Sequence, residues 1–272
     1  MTKNILICPV CRQSLATLTG GVACENRHRF DRAAKGYTNL LLGSRARHGD
    51  DADMVSARRR FLDSGAYLPV ARALGEAIGK YVPKDGVVLD AGCGEGYYTA
   101  HLADRHREMQ FYGIDVSKEA IRAAAGRSAL RRDGVTLLVA GVYAMPFAEE
   151  SFDALLSVFS PFAGEEFCRT LKRDGILISV IPGAKHLWDL KSVLYDTPYE
   201  NTVMDYALEG FSLVEKIELH DRILLKTPEQ IRDLFAMTPY FHRTPRQGHE
   251  RLQLLETLDC EISFEVLVYR RL

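Results

Sequence analysis

The chain has 272 residues, 47% of them apolar and 26% charged, with a formal net charge of -1. This is the composition of an ordinary globular protein, long enough for one large domain and a small appendage, with no sign of disorder or repeats. No run approaches the eighteen or more apolar residues of a membrane helix and no apolar stretch of signal-peptide length opens the chain, so a cytoplasmic protein is expected, with no membrane partner.

The near-neutral total hides an asymmetry. Residues 1–60 hold eleven Lys or Arg against five acids, a local charge of +6, which leaves -7 for the remainder. Such an imbalance favours a polyanion as the partner of the N-terminal part, the alternative being a solvated basic face. Six cysteines, three of them isolated (Cys93, Cys168 and Cys260), do not read as a secreted disulfide framework.

The first element is a cluster with the spacing C-x2-C-x12-C-x3-H, formed by Cys8, Cys11, Cys24 and His28. Two close pairs joined by a loop of a dozen residues suit tetrahedral Zn2+, and four protein ligands leave no open position, so the metal would be structural. It would fold a segment (1–36) too small to bury its own core. A redox CxxC is the rival reading, but that motif needs neither Cys24 nor His28. Residues 37–66 then read as a basic linker and helix. Within it Arg58, Arg59 and Arg60 either follow phosphates or form an exposed helix face.

Next, "VVLDA" (87–91) reads as a buried parallel strand, followed by a Gly-rich turn and the helical spacing of "YYTAHLADRH". A second strand, "QFYGID", ends on Asp115, nineteen residues past Gly96, where a doubly wound sheet places the acid that binds a ribose. The turn reads G-x-G-x-G, with Gly92, Gly94 and Gly96, rather than the G-x-G-x-x-G of a dinucleotide fold. Asp90 precedes it and Glu95 lies inside it. Two acids there would repel a pyrophosphate but suit a ligand carrying an ammonium and a sulfonium.

"LDAGCGEGYYT" thus resembles the first motif of the class I S-adenosylmethionine-dependent methyltransferases. The order that follows, through "GIDVSKEAIRAAA", "SFDALLSVFSPF", "GILISVIPG" and "CEISFEVLVYRRL", is similar to the same Rossmann-like α/β sheet, with Arg173 and Asp174 where Pro-Gly is usual. Taken with the N-terminal cluster, "FDRAAKGYTNLL", "ARRRFLDSGAYLPV" and "PGAKHLWDLK", the chain is similar to the RlmA/TlrB family of 23S ribosomal RNA (guanine-N1-)-methyltransferases from Cys8 to about Leu267.

The resemblance implies a methyltransferase domain over 67–272, preceded by a zinc module that helps recognise an rRNA hairpin, and it admits a homodimer. It implies zinc at Cys8, Cys11, Cys24 and His28. It also implies S-adenosylmethionine contacts from Tyr67, from the loop between Gly94 and Thr99, including Tyr98, and from His186, beside the Asp90, Gly92 and Asp115 read above. Guanine N1 carries a proton, so a base would help; Glu165, Glu166, Asp153 and His186 are candidates among which the sequence does not choose. "SVFSPF" keeps only Pro161 and Phe162 of the "NPPY" pattern of exocyclic-amine methyltransferases, which favours a ring nitrogen. Phe159, Phe162, Trp188 and Tyr195 are candidates to stack on a flipped guanine. A small-molecule methyltransferase and a non-catalytic zinc RNA-binding protein are the competing functions.

Overall fold

A computed structural model describes residues 5–43, 49–202 and 206–272. Lys3, Arg45 and Arg47, part of the basic count, lie outside the described residues. Three short antiparallel strands, β1 (Ala16–Leu18), β2 (Gly21–Ala23) and β3 (Arg29–Asp31), form the N-terminal ribbon in the order β1-β2-β3. Strand β4 (Thr38–Asn39) then pairs in parallel with β7 (Val135–Val139), so residues read as linker supply the outer edge of the large sheet.

Helix α1 (Ala52–Asp63) follows, its first turn closed by Asp51, whose carboxylate accepts the Met54 N–H at 2.9 Å. Helix α2 (Leu68–Tyr81) opens on a proline, whose missing N–H costs nothing in a first turn. The central sheet comprises β5 (Val87–Ala91), β6 (Gln110–Asp115), β7, β8 (Phe152–Val158), β9 (Leu171–Pro182), β10 (Phe211–Leu225) and β11 (Leu258–Arg271). Its order is β10-β11-β9-β8-β5-β6-β7-β4, with β10 and β11 antiparallel and the others parallel. The inner strands are apolar runs because helices or the ribbon cover both faces.

Helices α3 (Tyr97–Arg105), α4 (Lys118–Ala124) and α5 (Gly164–Thr170) alternate with these strands; α6 (Trp188–Leu194), α7 (Pro228–Ala236) and α8 (Arg246–Gln253) come later. At the turn leading into the core of β9 it is Asp174 that takes the left-handed backbone, at φ 59°, a conformation that Asp tolerates better than most residues. The turn therefore forms without the usual Pro-Gly.

Two features tie the N-terminal third to the sheet. The ribbon's buried Leu6, Cys8, Leu15 and Cys24 pack in one apolar cluster with Leu138, Phe147 and other residues of the sheet and its loops, and the Ile7 N–H donates to the Pro146 carbonyl at 3.0 Å. The arginine run makes ion pairs and hydrogen bonds within the fold. Arg60 grips Asp233 of α7 with two hydrogen bonds, at 2.8 and 2.6 Å, Arg59 reaches the Ala123 carbonyl and Asp63, and Arg58 pairs with Asp50. The run thus ties α1 to α4 and α7, with the Arg60 and Arg59 side chains still 62% and 38% exposed.

Candidate active site

The carboxyl ends of β5, β6, β8 and β9 open into a cleft of about 1150 Å³, the position at which an open α/β sheet takes its ligand. Its floor is the glycine turn. Gly92, Gly94 and Gly96 hold φ of +85°, +55° and +80°, backbone that costs little only without a Cβ. At Gly96 a Cβ would also stand 2.6 Å from Leu130 Cδ1, and at Gly92 2.5 Å from Ser160 Cβ.

Asp90 is buried beneath this turn and accepts a 2.5 Å hydrogen bond from the Thr99 hydroxyl. Burial pushes its carboxyl up to about 7; the Thr99 bond opposes that and the nearby Asp115 adds to it. Asp115, at the end of β6, accepts the Gly94 N–H at 3.0 Å and the Ser117 N–H at 2.8 Å. A carboxylate has about four acceptor positions, so these bonds fix the group and leave others for a diol. Burial raises this carboxyl as well.

Glu95 lines the same cleft but is almost fully buried, and its carboxylate is paired with Arg127, which also bonds Asp63. Its charge is thus largely neutralised from below, so the acid facing a cationic ligand is Asp90 rather than the pair read from the sequence. Glu95 Oε1 and the Tyr98 hydroxyl are buried without a hydrogen-bond partner among the described residues.

On the far side Tyr67 and His186 meet. The Ser263 N–H donates to His186 Nδ1 at 3.3 Å, which assigns the ring proton to Nε2, 3.3 Å from the Tyr67 hydroxyl. The Tyr67 proton is then left as a donor to the cleft. Burial, then Lys191, lowers His186 to about 3, so it stays neutral. With its lone pair occupied, His186 is a poor general base.

The other base candidates fall outside the cleft. Glu165 is exposed on α5, Glu166 is held by Arg169 and the Met145 N–H, and Asp153 sits at the opposite end of β8, bound to Lys172 and the Val87 N–H. Each is removed for the same reason: its oxygens serve the scaffold or solvent.

Of the stacking candidates, Phe159 and Phe162 line the cleft and are 45% and 42% exposed as residues. Phe159 takes a left-handed backbone, φ 53°, held by its N–H on the Val180 carbonyl. Trp188 and Tyr195 do not line the cleft. Tyr195 instead packs tilted against Tyr199 and edge-on to Tyr240, which do. These two were missed, together with Asn201 and the buried Lys191, whose ammonium donates to the Tyr199 carbonyl at 3.0 Å and Asn201 Oδ1 at 2.7 Å. No local pattern marks them, because the loop and helix that carry them meet only in the fold.

The ribbon supplies the remaining wall through Pro9 and Arg12. Its four candidate ligand atoms lie within 4.8 Å of one another, with Cys11 and Cys24 sulfurs 3.7 Å apart and Cys24 Sγ 3.4 Å from His28 Nδ1. Tetrahedral Zn2+ requires edges of about 3.8 Å between sulfurs and about 3.6 Å from sulfur to nitrogen, so the donors fit. The Gln13 N–H holds the Cys11 thiol down to about 6, as suits a thiolate ligand. Arg12 and Arg27, at φ 62° and 64°, shape the two turns that carry the ligand pairs.

The comparisons with known proteins agree with this geometry. Residues 88–175 match a family described as Methyltransferase domain, and residues 6–43 one described as RlmA, N-terminal. A protein of Micromonospora griseorubida is 38% identical over 92% of this chain and 91% of its own length, and one of Bacillus subtilis, YxjB, is 32% identical over 96% and 95%. Both are named, provisionally, as 23S rRNA (guanine-N1-)-methyltransferases. The 23S rRNA (guanine(748)-N(1))-methyltransferase of Streptomyces fradiae is 34% identical over 71% of this chain and 70% of its own.

The chain belongs to the 23S rRNA (guanine-N1-)-methyltransferase family. It is accordingly an S-adenosylmethionine-dependent methyltransferase with a zinc ribbon. Among solved structures, the YcgJ protein of Bacillus subtilis shares the fold with a TM-score of 0.51 at 15% identity, covering 74% of this chain and 98% of its own. The MccD protein does so at 0.50 and 17%, covering 75% and 98%.

Proposed function

We propose that the protein transfers a methyl group from S-adenosylmethionine to N1 of one guanine in a hairpin loop of large-subunit ribosomal RNA. The observation that carries this reading is one cleft walled by both the glycine turn and the zinc ribbon, through Pro9 and Arg12. A small-molecule methyltransferase needs no such wall. The orphaned Tyr98 hydroxyl and the acids Asp90 and Asp115 suit a ligand that offers an ammonium and a ribose diol.

S-adenosylmethionine supplies an electrophilic methyl on its sulfonium. In this reading Asp90 binds the ammonium, Asp115 the ribose hydroxyls, and Tyr67, oriented by His186, donates its hydroxyl proton at the reacting end of the cleft. Phe159 and Phe162 flank a guanine turned out of its loop, with Tyr199 and Tyr240 beneath. With no described carboxylate or imidazole free to act as base, the rate rests on alignment of N1 with the methyl group, and the N1 proton leaves to water. Incubation with methyl-labelled S-adenosylmethionine and unmodified 23S rRNA, followed by nucleoside mass spectrometry, is expected to give 1-methylguanosine. Cofactor binding without label in RNA would instead support a small-molecule substrate.

A further inference from the structure

Beside its N1–H, guanine presents the O6 carbonyl. As N1 gives up its proton the negative charge spreads onto O6, so a fixed donor there would both select guanine and ease the reaction. Adenine offers an amino group at the same place and would meet that donor with another donor. The acceptor wall of the cleft carries one side chain suited to the task, Asn201.

Asn201 lies on the loop after α6 and lines the cleft, as Tyr199 and Tyr240 do. Three hydrogen bonds fix it. Its backbone N–H donates to the Ala184 carbonyl at 2.8 Å, one side-chain N–H donates to the Gly183 carbonyl at 2.8 Å, and Oδ1 accepts from Lys191 Nζ at 2.7 Å. The Tyr240 hydroxyl approaches Oδ1 as well, at 3.5 Å. A carbonyl on one side and an ammonium on the other assign which amide atom is nitrogen and which is oxygen. An amide has two N–H donors, so one is left without a partner among the described residues.

Lys191 is the unusual member of this group. It has no exposed surface, and its partners among the described residues are oxygens and rings, with no ion pair to a carboxylate. Its ammonium donates to the Tyr199 carbonyl and to Asn201 Oδ1, and stands 4.7 and 5.4 Å from the ring centres of Tyr199 and Tyr240. A third proton facing two rings suits the charged form, whereas a neutral amine would turn its lone pair on them. Burial lowers its pKa from the usual lysine value and exposed Glu200 opposes that, while neutral His186 feels the same charge. A buried cation held by neutral groups is costly; negative charge developing on the acceptor base would offset that cost. An ammonium on Oδ1 also polarises the amide and strengthens its remaining N–H as a donor.

We propose that Asn201 is the guanine-reading residue, donating its spare side-chain N–H to O6 of the flipped base, and that Lys191 is the positioning residue that fixes and polarises that amide. This rests on the reading of the cleft as the site of guanine-N1 methylation. The balance of the step is unchanged: the N1 proton goes to water, N1 forms its bond to the methyl carbon as the bond from that carbon to sulfur breaks, and the charge on O6 returns to a carbonyl.

The test uses the full chain and the 23S rRNA hairpin that carries the methylated guanine, with that guanine kept or replaced by 2-aminopurine, which retains the 2-amino group and has no O6. Equilibrium binding of the end-labelled hairpins is read by fluorescence anisotropy in the presence of S-adenosylhomocysteine. Wild type is expected to prefer guanine by about 10-fold, as for one hydrogen bond to a polarised donor. Asn201→Asp keeps an oxygen for Lys191 and removes both N–H donors, so the preference should vanish or reverse, with S-adenosylmethionine still bound as evidence of folding. Asn201→Ala is read in the same way where Asn201→Asp fails to bind the methyl donor. Lys191→Met should slow single-turnover methylation about 10-fold at pH 7, move the pH at which the rate levels off up by about one unit, and converge with wild type at high pH. A loop that had merely loosened would be slower by one factor at every pH.

A wild type indifferent to the loss of O6, a preference retained without the Asn201 amide, or a Lys191→Met rate lowered equally at every pH would each overturn the assignment. No methylation of guanine by wild type at all would instead refute the reading beneath it, and the assignment with it.

Discussion

Asp90 offers a quantitative test of the cleft. Its carboxyl is buried, stands near Asp115 and titrates at about 7 in the free protein, far above its unfolded value of 3.8. A ligand bearing an ammonium and a sulfonium binds the ionised form, so binding must expel a proton wherever Asp90 is protonated. One proton released from a group titrating near 7 makes the apparent affinity rise about 16-fold between pH 5.5 and pH 7.0, or about 1.6 kcal/mol. Over that interval the donor's own ammonium stays more than about 80% charged, since an α-amino group titrates near 7.7.

Calorimetry in two buffers of different ionisation enthalpy reads both the affinity and the proton count. Asp90→Asn should bind far more weakly and with no slope across the same interval. For stability the sign is opposite. A folded pKa raised above the unfolded one stabilises fully below the unfolded value of 3.8, and that contribution is lost as pH rises through about 7. Free Asp90→Asn should therefore melt higher than wild type at pH 8, where it no longer buries a charge. A wild-type affinity flat between pH 5.5 and 7.0, or a slope that survives in Asp90→Asn, would refute this account of the turn.

Three other outcomes are expected. Gly96→Ala combines φ +80° with a Cβ 2.6 Å from Leu130 and 3.0 Å from Ala124; urea unfolding should show a loss of about 2–4 kcal/mol, and a loss under about 0.5 would mean the turn relaxes freely. Cys24→Ser should bind no stoichiometric zinc by atomic absorption and lower the melting of the whole chain in one transition, because Cys24 shares its apolar cluster with the sheet; an unchanged main transition would show that the ribbon folds apart. Phe159→Ala should cut methylation of rRNA by about 10- to 100-fold, as for loss of one stacked base, and leave the donor's dissociation constant within about twofold; an equal loss of donor binding would remove Phe159 from the acceptor side.

Much of this was legible in local sequence, for identifiable reasons. Ligand spacing survives folding because each pair sits in one turn, so Cys8, Cys11, Cys24 and His28 converge as read. The glycine turn and Asp115 were legible because the βαβ unit fixes their separation. What could not be read lay in long-range partners. Nothing around Arg60 announces Asp233, 173 positions away, nor anything around Glu95 the half-buried Arg127. A two-residue parallel edge strand such as Thr38–Asn39 has no periodicity to detect. Tyr199, Tyr240 and Lys191 come together only because the segment after β9 folds back over the strand ends.

The apolar cluster shared by ribbon and sheet bears on how recognition and chemistry can be recombined. A cut near residue 36 would strip cover from Leu138 and Phe147, and it falls just two residues before β4, the outer neighbour of β7. Exchange of ribbons between relatives should therefore tolerate new residues at the outward tips, such as Val10, while the faces carrying Leu6, Leu15 and Val22 travel with their own β7 and the loop after it. In this architecture the ribbon's outer surface is the part free to change, and a transplanted ribbon has to bring its seat along.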